Sequence, residues 1–228
     1  MIRKLLSSSL VFVVAFAVTG STYAKGSPGF WLGAGGGYSN GLGGGLELSL
    51  LDAIPEIPIG FHFSVGYYHL NEPGVAVDAR KIFINNATAG NNNILEYGYN
   101  IFFRLDFSYR VLQAKGLNID AYAGVAHARY LAHFDYQGGN EAFDVVTNPW
   151  GATLGARVYF FLSRQLMLTL NGGVEYYFPD KISAHGNFYN PNGQDDNPRA
   201  PYTYADADAA IEQPTFSPRV SLTLSFRL

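Results

Sequence analysis

The chain has 228 residues, with 26 glycines, 15% aromatic and only 14% charged residues, no cysteine and a formal net charge of −3. Soluble domains carry about 25% charged residues, so this chain is short of the groups that keep a surface wet, while its aromatics are too many for a disordered chain. Disulfide scaffolds, thiolate metal sites and thiol nucleophiles are excluded, and the slight negative charge gives no electrostatic basis for a nucleic-acid partner.

Residues 1–24 read as a signal peptide. Arg3 and Lys4 precede the apolar run Leu10 to Val18, and Thr22-Tyr23-Ala24 supplies a small-x-small end, with cleavage expected after Ala24. The run is far short of the ~20 residues a membrane-spanning helix needs. Residues 25–228 follow as one unit.

What recurs in that unit is alternation with period two, the signature of strands. Phe30 to Ser39 and Leu42 to Leu51 are the first two candidates, joined by the tight Ser39-Asn40-Gly41. Phe61, Phe63, Val65 and Tyr67 then alternate with His62, Ser64, Gly66 and Tyr68. The strongest segment is Leu95 to Val111: its odd positions are apolar or aromatic, and its even positions carry Glu96, Asn100, Arg104, Asp106 and Arg110. Asn118 to about His133, Trp150 to Leu162, Leu166 to Phe178 and Val220 to Leu228 complete eight strands. Ten would result if the last long loop conceals a hairpin, Ile182 to Phe188 with Tyr202 to Tyr204.

The facing decides the class. The polar face holds Gly, Ser, Thr, Asn and isolated charges, where a soluble sandwich would carry Lys and Glu. A broad aromatic face opposite it fits a barrel turned inside out, lipid outside and polar side chains within. The expected fold is all-β, a transmembrane antiparallel up-and-down β-barrel. Connections alternate: short at Asp52 to Pro58, Gln113 to Gly116 and Ser163 to Gln165, long near 71–93, 135–149 and 179–218. Short periplasmic turns and longer extracellular loops leave this pattern, which predicts both termini on the periplasmic side.

The signal segment, the eight alternating strands and the ending Ser217-Pro218-Arg219-Val220-Ser221-Leu222-Thr223-Leu224-Ser225-Phe226-Arg227-Leu228 together resemble a small bacterial outer-membrane barrel of the OmpA/OmpX kind. The resemblance implies an outer-membrane location, contact with lipid and lipopolysaccharide, and recognition of Val220 to Leu228 by the barrel-assembly machinery. Such proteins usually finish on an aromatic residue; here the last is Leu228, with the aromatic displaced to Phe226.

The inward face is expected to bring Glu47, Arg104, Asp106, Arg157, Glu175 and Arg219 within a few layers of one another, as a charged network closing the lumen. On the outward face beyond Ile119, Ala121, Ala123 and Val125, the residues His127, Arg129 and His133 reach the level of lipid headgroups, where a cation can contact lipopolysaccharide phosphate. The histidines His62, His69, His127, His133 and His185 match no catalytic motif of lipid A-modifying barrels. The acidic loop Asp180, Asp195, Asp196, Asp206, Asp208, Glu212 does not complete a calcium-binding pattern and reads as solvated. Asn86-Ala87-Thr88 reads as a chance glycosylation triplet. No cofactor is expected. The leading function is a non-enzymatic, monomeric surface barrel meeting an extracellular partner through its loops. Two alternatives remain: a narrow pore and a lipid A-modifying enzyme.

Overall fold

The computed structural model describes residues 28–54, 56–71, 73–84, 94–136, 141–211, 213 and 215–228. The signal segment 1–24 and Asn86-Ala87-Thr88 lie outside them. In chain order the elements are β1 (Gly29–Tyr38), β2 (Leu42–Leu51), β3 (Ile59–Leu70), α1 (Ala76–Phe83), β4 (Ile94–Ala114), β5 (Leu117–Tyr136), β6 (Glu141–Thr147), β7 (Trp150–Phe161), β8 (Leu166–Tyr177), β9 (Ile182–Ala184), β10 (Asn187–Tyr189), α2 (Tyr204–Ile211) and β11 (Phe216–Arg227).

Among the described residues eight strands close a ring, β1-β2-β3-β4-β5-β7-β8-β11, each antiparallel to its neighbours. Closure removes the open edges that a sheet cannot tolerate in lipid. β5 changes partner along its length. Leu117 to His127 pairs with β7, and Tyr130 to Tyr136 pairs with β6. Beyond the ring, β6 therefore extends the sheet, and the hairpin β9–β10 joins it through Val146 and Ser183. The hairpin expected within the last loop, Ile182 to Phe188 against Tyr202 to Tyr204, does not form; a shorter one pairs Ile182–Ala184 with Asn187–Tyr189 instead. It lies outside the ring, and Tyr202 to Tyr204 leads into a helix, so the ring keeps eight strands.

Side-chain alternation becomes an inside and an outside. On β4, Phe103, Leu105, Phe107, Tyr109 and Val111 are exposed, whereas Phe102, Arg104, Asp106, Ser108 and Arg110 are buried. Aromatic rows bound the apolar band, with Tyr67 stacked on Tyr99 at one level and Phe61 edge-on to Phe107 at the other. From Tyr99 to Tyr109 the strand climbs about 23 Å at ~3.3 Å per residue and ~45° tilt, close to the band of an outer-membrane barrel.

The fold has two cores of opposite character. Inside the ring the buried residues are largely polar: Ser49, His62, Asn100, Ser108, Thr153, Thr169, Asn171 and the charges described below. The lumen end nearest Gly29 and Arg227 is filled instead by Trp31, Leu51, Tyr159 and Met167. Over the opposite end, the connections expected to be long loops fold into a cap. Leu70, Ala76, Ala79, Ile82, Phe83, Tyr130, Phe134, Phe143, Val145, Ile182, Tyr189, Ala207, Ala210 and Ile211 belong to one apolar cluster there. The reason is burial. β4 and β5 overrun the ring, and the inner face of that overhang needs cover, which α1, α2 and the hairpin supply.

Candidate functional site

The lumen is the first site. Its six expected charges come from five strands, β2, β4, β7, β8 and β11, and the ring places residues far apart in sequence within contact. Glu47, Arg104, Asp106, Arg157, Glu175 and Arg219 are all buried, none above 8% exposed. They form two triads. Arg157 donates through Nη1 to Glu47 Oε2 at 2.5 Å and through Nη2 to Asp106 Oδ2 at 2.7 Å. Glu175 Oε1 is ion-paired with Arg104 Nε and with Arg219 Nε, the latter at 3.4 Å, without hydrogen-bond geometry in either contact. One triad carries a net −1 and the other a net +1, so the array is neutral as a whole. Tyr122 lies between them: its hydroxyl accepts from Arg219 Nη2 at 2.8 Å, and its ring is 5.0 Å from the Arg157 guanidinium. The remaining acceptor oxygens are occupied too, Asp106 by Thr153, Glu47 by Ser49 and Glu175 by Tyr177. These bonds and the ion pairs offset part of the desolvation of the buried ions, while Nε of Arg104, Arg157 and Arg219 stays without a hydrogen-bond partner among the described residues.

Glycine makes room for these long side chains. A Cβ at Gly66 would stand 2.5 Å from Phe102 Cζ, and one at Gly173 would stand 2.1 Å from Tyr122 Oη. Walls bare of side chains let the opposite wall reach across.

The network extends further than the sequence reading anticipated. His62 sits between Ser49 Oγ at 2.8 Å and Ser108 Oγ at 2.9 Å, and Ser108 donates to Asp120. Arg110 then joins Asp120 at 3.3 Å and Asp52 at 2.7 Å. Arg110, Asp120 and His62 share the inward parity of the residues singled out, which is the signal that could have found them. A cavity of about 30 Å³ touches Ser64, Phe102, Arg104, Asn171, Arg219 and the glycines of β1 and β2. Around it Arg104 Nη2, Ser64 Oγ and Asn171 Oδ1 have no hydrogen-bond partner among the described residues.

On the outer face of β5, Arg129 is exposed, and the His127 ring stands edge-on to Trp150 at 4.8 Å. His133 is committed elsewhere: its Nδ1 lies 2.6 Å from Asp144 Oδ1, and its ring stacks on Tyr97. The three residues lie along one strand face, and they do not converge on one point.

The cap is the second site. Tyr130 hydroxyl contacts the carbonyls of Pro73 and Ile211, Tyr136 hydroxyl contacts the carbonyl of Ala76, and Asn187 Nδ2 donates to Phe83 O at 2.9 Å. Arg80 Nε pairs with Glu141 at 2.6 Å, which raises the Arg80 pKa above its ordinary value. Gly74, at φ +150°, is required because a Cβ there would strike Ala210 O. Of the acidic loop, Asp195 caps Asn190 N and Asp206 binds Thr203. Asp208 receives a side-chain bond from Gln213. Among the described residues no group of three such side chains could hold a metal ion.

No protein-family model and no curated protein matches the chain. Among solved structures it is similar to a major outer membrane protein from Thermus thermophilus. That similarity has 23% identity and a TM-score of 0.70, and it covers 89% of this chain and all of that one. The N-terminal β-barrel domain of Pseudomonas aeruginosa OprF is similar at 11% identity and TM-score 0.47, over 88% of this chain and 97% of that domain. Acinetobacter baumannii CarO2 follows at 13% and 0.40, over 88% and 99%. The eight-stranded ring, the inverted facing and the Thermus likeness together identify the fold as that of a small outer-membrane β-barrel.

Proposed function

We propose that the chain resides in a bacterial outer membrane as a monomeric, non-enzymatic barrel with a closed lumen, its cap turned outward and its termini toward the periplasm. The observation that carries this reading is the double occlusion of the ring. Three acids and three arginines pair across the lumen, between an apolar plug at one end and an apolar cap at the other. An eight-stranded interior is only just wide enough for side chains to fill, and the buried side chains across this ring support closure. His62, wholly buried between two serines, reads as a member of the lumen network. The exposed Arg129 beside the His127–Trp150 pair suits a lipopolysaccharide phosphate. The strand Val220 to Leu228 would serve the barrel-assembly machinery, and the cap an outside partner.

Planar-bilayer recording tests closure: wild-type protein is expected to show no stable open level, and steady conductance would overturn it. The cavity beside Arg104 favours the second reading, a narrow hydrated pore, and the same recording separates the two. Orientation has its own test, because the chain is free of cysteine. A membrane-impermeant maleimide on intact cells should label Asn192→Cys; labelling only after the envelope is opened reverses the assignment. Native mass spectrometry should show less lipopolysaccharide retained by Arg129→Ala than by wild type.

A further inference from the structure

The sequence of α2, Tyr-Ala-Asp-Ala-Asp-Ala-Ala-Ile, is poor in side-chain volume. Ala207, Ala210 and Ile211 are spent on the cap core. Opposite the helix, Asp78, Lys81 and Ile82 of α1 fall on one face at i, i+3 and i+4. Between these faces lies a cleft of about 200 Å³, lined by Asp78, Lys81, Ile82, Tyr202, Asp206, Ala209 and Ala210. Its floor is apolar: Ile82 and Ala210 are 3% and 2% exposed. Ala209 contributes only a methyl group where a longer side chain would fill the space. The volume equals that of six or seven waters at ~30 Å³ each, enough for a compact organic group.

The charges at the mouth are unequal. Lys81 Nζ is held by Asp78 Oδ1 at 2.8 Å, so those two compensate each other. Asp206 receives both bonds from Thr203, at 2.8 and 2.7 Å, on Oδ2 alone. Its Oδ1 has no partner among the described residues. An ionised carboxylate with a free oxygen therefore stands beside an apolar floor and a tyrosine ring.

We propose that this cleft binds a small organic cation with an apolar body, of the aryl- or alkylammonium class. The ammonium meets Asp206 Oδ1, and the body covers Ile82, Ala209 and Ala210 against the Tyr202 ring. With Asp78 compensated by Lys81, an anion still meets the Asp206 carboxylate and is disfavoured, whereas a neutral analogue loses the charge-assisted bond. The inference does not depend on whether the barrel conducts or on which way the cap faces.

The test is titration of the full chain, in phosphatidylcholine nanodiscs, with benzylammonium chloride followed by NMR, against empty nanodiscs. Saturable shifts at Ile82 and Ala210 are expected, with a dissociation constant of about 10 mM or tighter. Benzyl alcohol and benzoate should bind at least ~10-fold more weakly. Ala209→Leu, on an exposed position, should fill the cleft and abolish the shifts with the fold intact, and Asp206→Asn should weaken them. Absence of saturation, equal binding of benzyl alcohol, or wild-type binding by Ala209→Leu would each overturn the proposal.

Discussion

Arg157 and Glu175 are the two hubs of the lumen, and their chemistry is opposite. Arg157 serves two carboxylates, whereas Glu175 is served by two guanidiniums. Removing one partner of a buried pair leaves an uncompensated charge and typically costs about 3–5 kcal/mol. Arg157→Ala strips both Glu47 and Asp106, so its cost should reach or exceed that range. Arg104→Ala should cost less, because Glu175 keeps Arg219. Urea unfolding in lipid vesicles orders the two, and a costlier Arg104→Ala would show that the sharing is misassigned. That these residues point inward was legible from parity alone. Which acid meets which arginine was not: Arg157 and Glu47 are 110 residues apart and meet only across a closed ring.

At the scale of the element, β4 was readable because its period is sustained over many residues, and packing could only agree with it. Phe103 lies near the middle of its exposed face, 44% accessible. Arginine in its place is expected to cost about 2–4 kcal/mol in vesicles, the depth-dependent penalty of a charge on the lipid face. Unchanged urea stability would place that face elsewhere. The helices were not readable. Each spans eight residues, and helices that short are marginal without a surface to pack on. The start of α2 still carries a local signal. Thr203 donates both its hydroxyl and its backbone N–H to Asp206 Oδ2, and the two bonds hold the Asp206 carboxyl below its ordinary pKa of 3.8. A lowered folded-state pKa gives stability that is present above the unfolded value and is lost as pH falls through the folded one. Proteolysis of the cap should therefore accelerate as pH drops below about 4 in wild type. With Asp206→Asn this part of the pH response should disappear; an identical response in both would remove Asp206 from the account.

In the molecule as a whole, two cores hold two bodies by different physics. The ring is fixed by strand ladders on both sides of every strand, whereas the cap rests on one apolar cluster and on hydroxyl bonds such as those of Tyr130. Amide exchange should open α1 and α2 before any ring strand. Tyr130→Phe removes a buried donor worth about 1–2 kcal/mol. It should hasten exchange in the cap and leave the ring unchanged. Equal acceleration in both would mean that cap and ring unfold as one unit.

The sequence by itself determined the inside-out barrel, the places of eight strands and the facing along the strongly alternating ones, because a period of two is a local property that lipid and lumen both reinforce. It also marked the rare charges as inward. Only the tertiary structure decided that 71–93, 135–149 and 179–218 contain a packed cap, and that the extra hairpin stays outside the ring. Short helices and three-residue strands such as β9 and β10 carry almost no periodic signal. They exist because β4 and β5 overrun the ring and leave an apolar face to be covered. That cover is assembled from segments more than a hundred residues apart, through contacts such as Asn187 Nδ2 to Phe83 O, which no local pattern records.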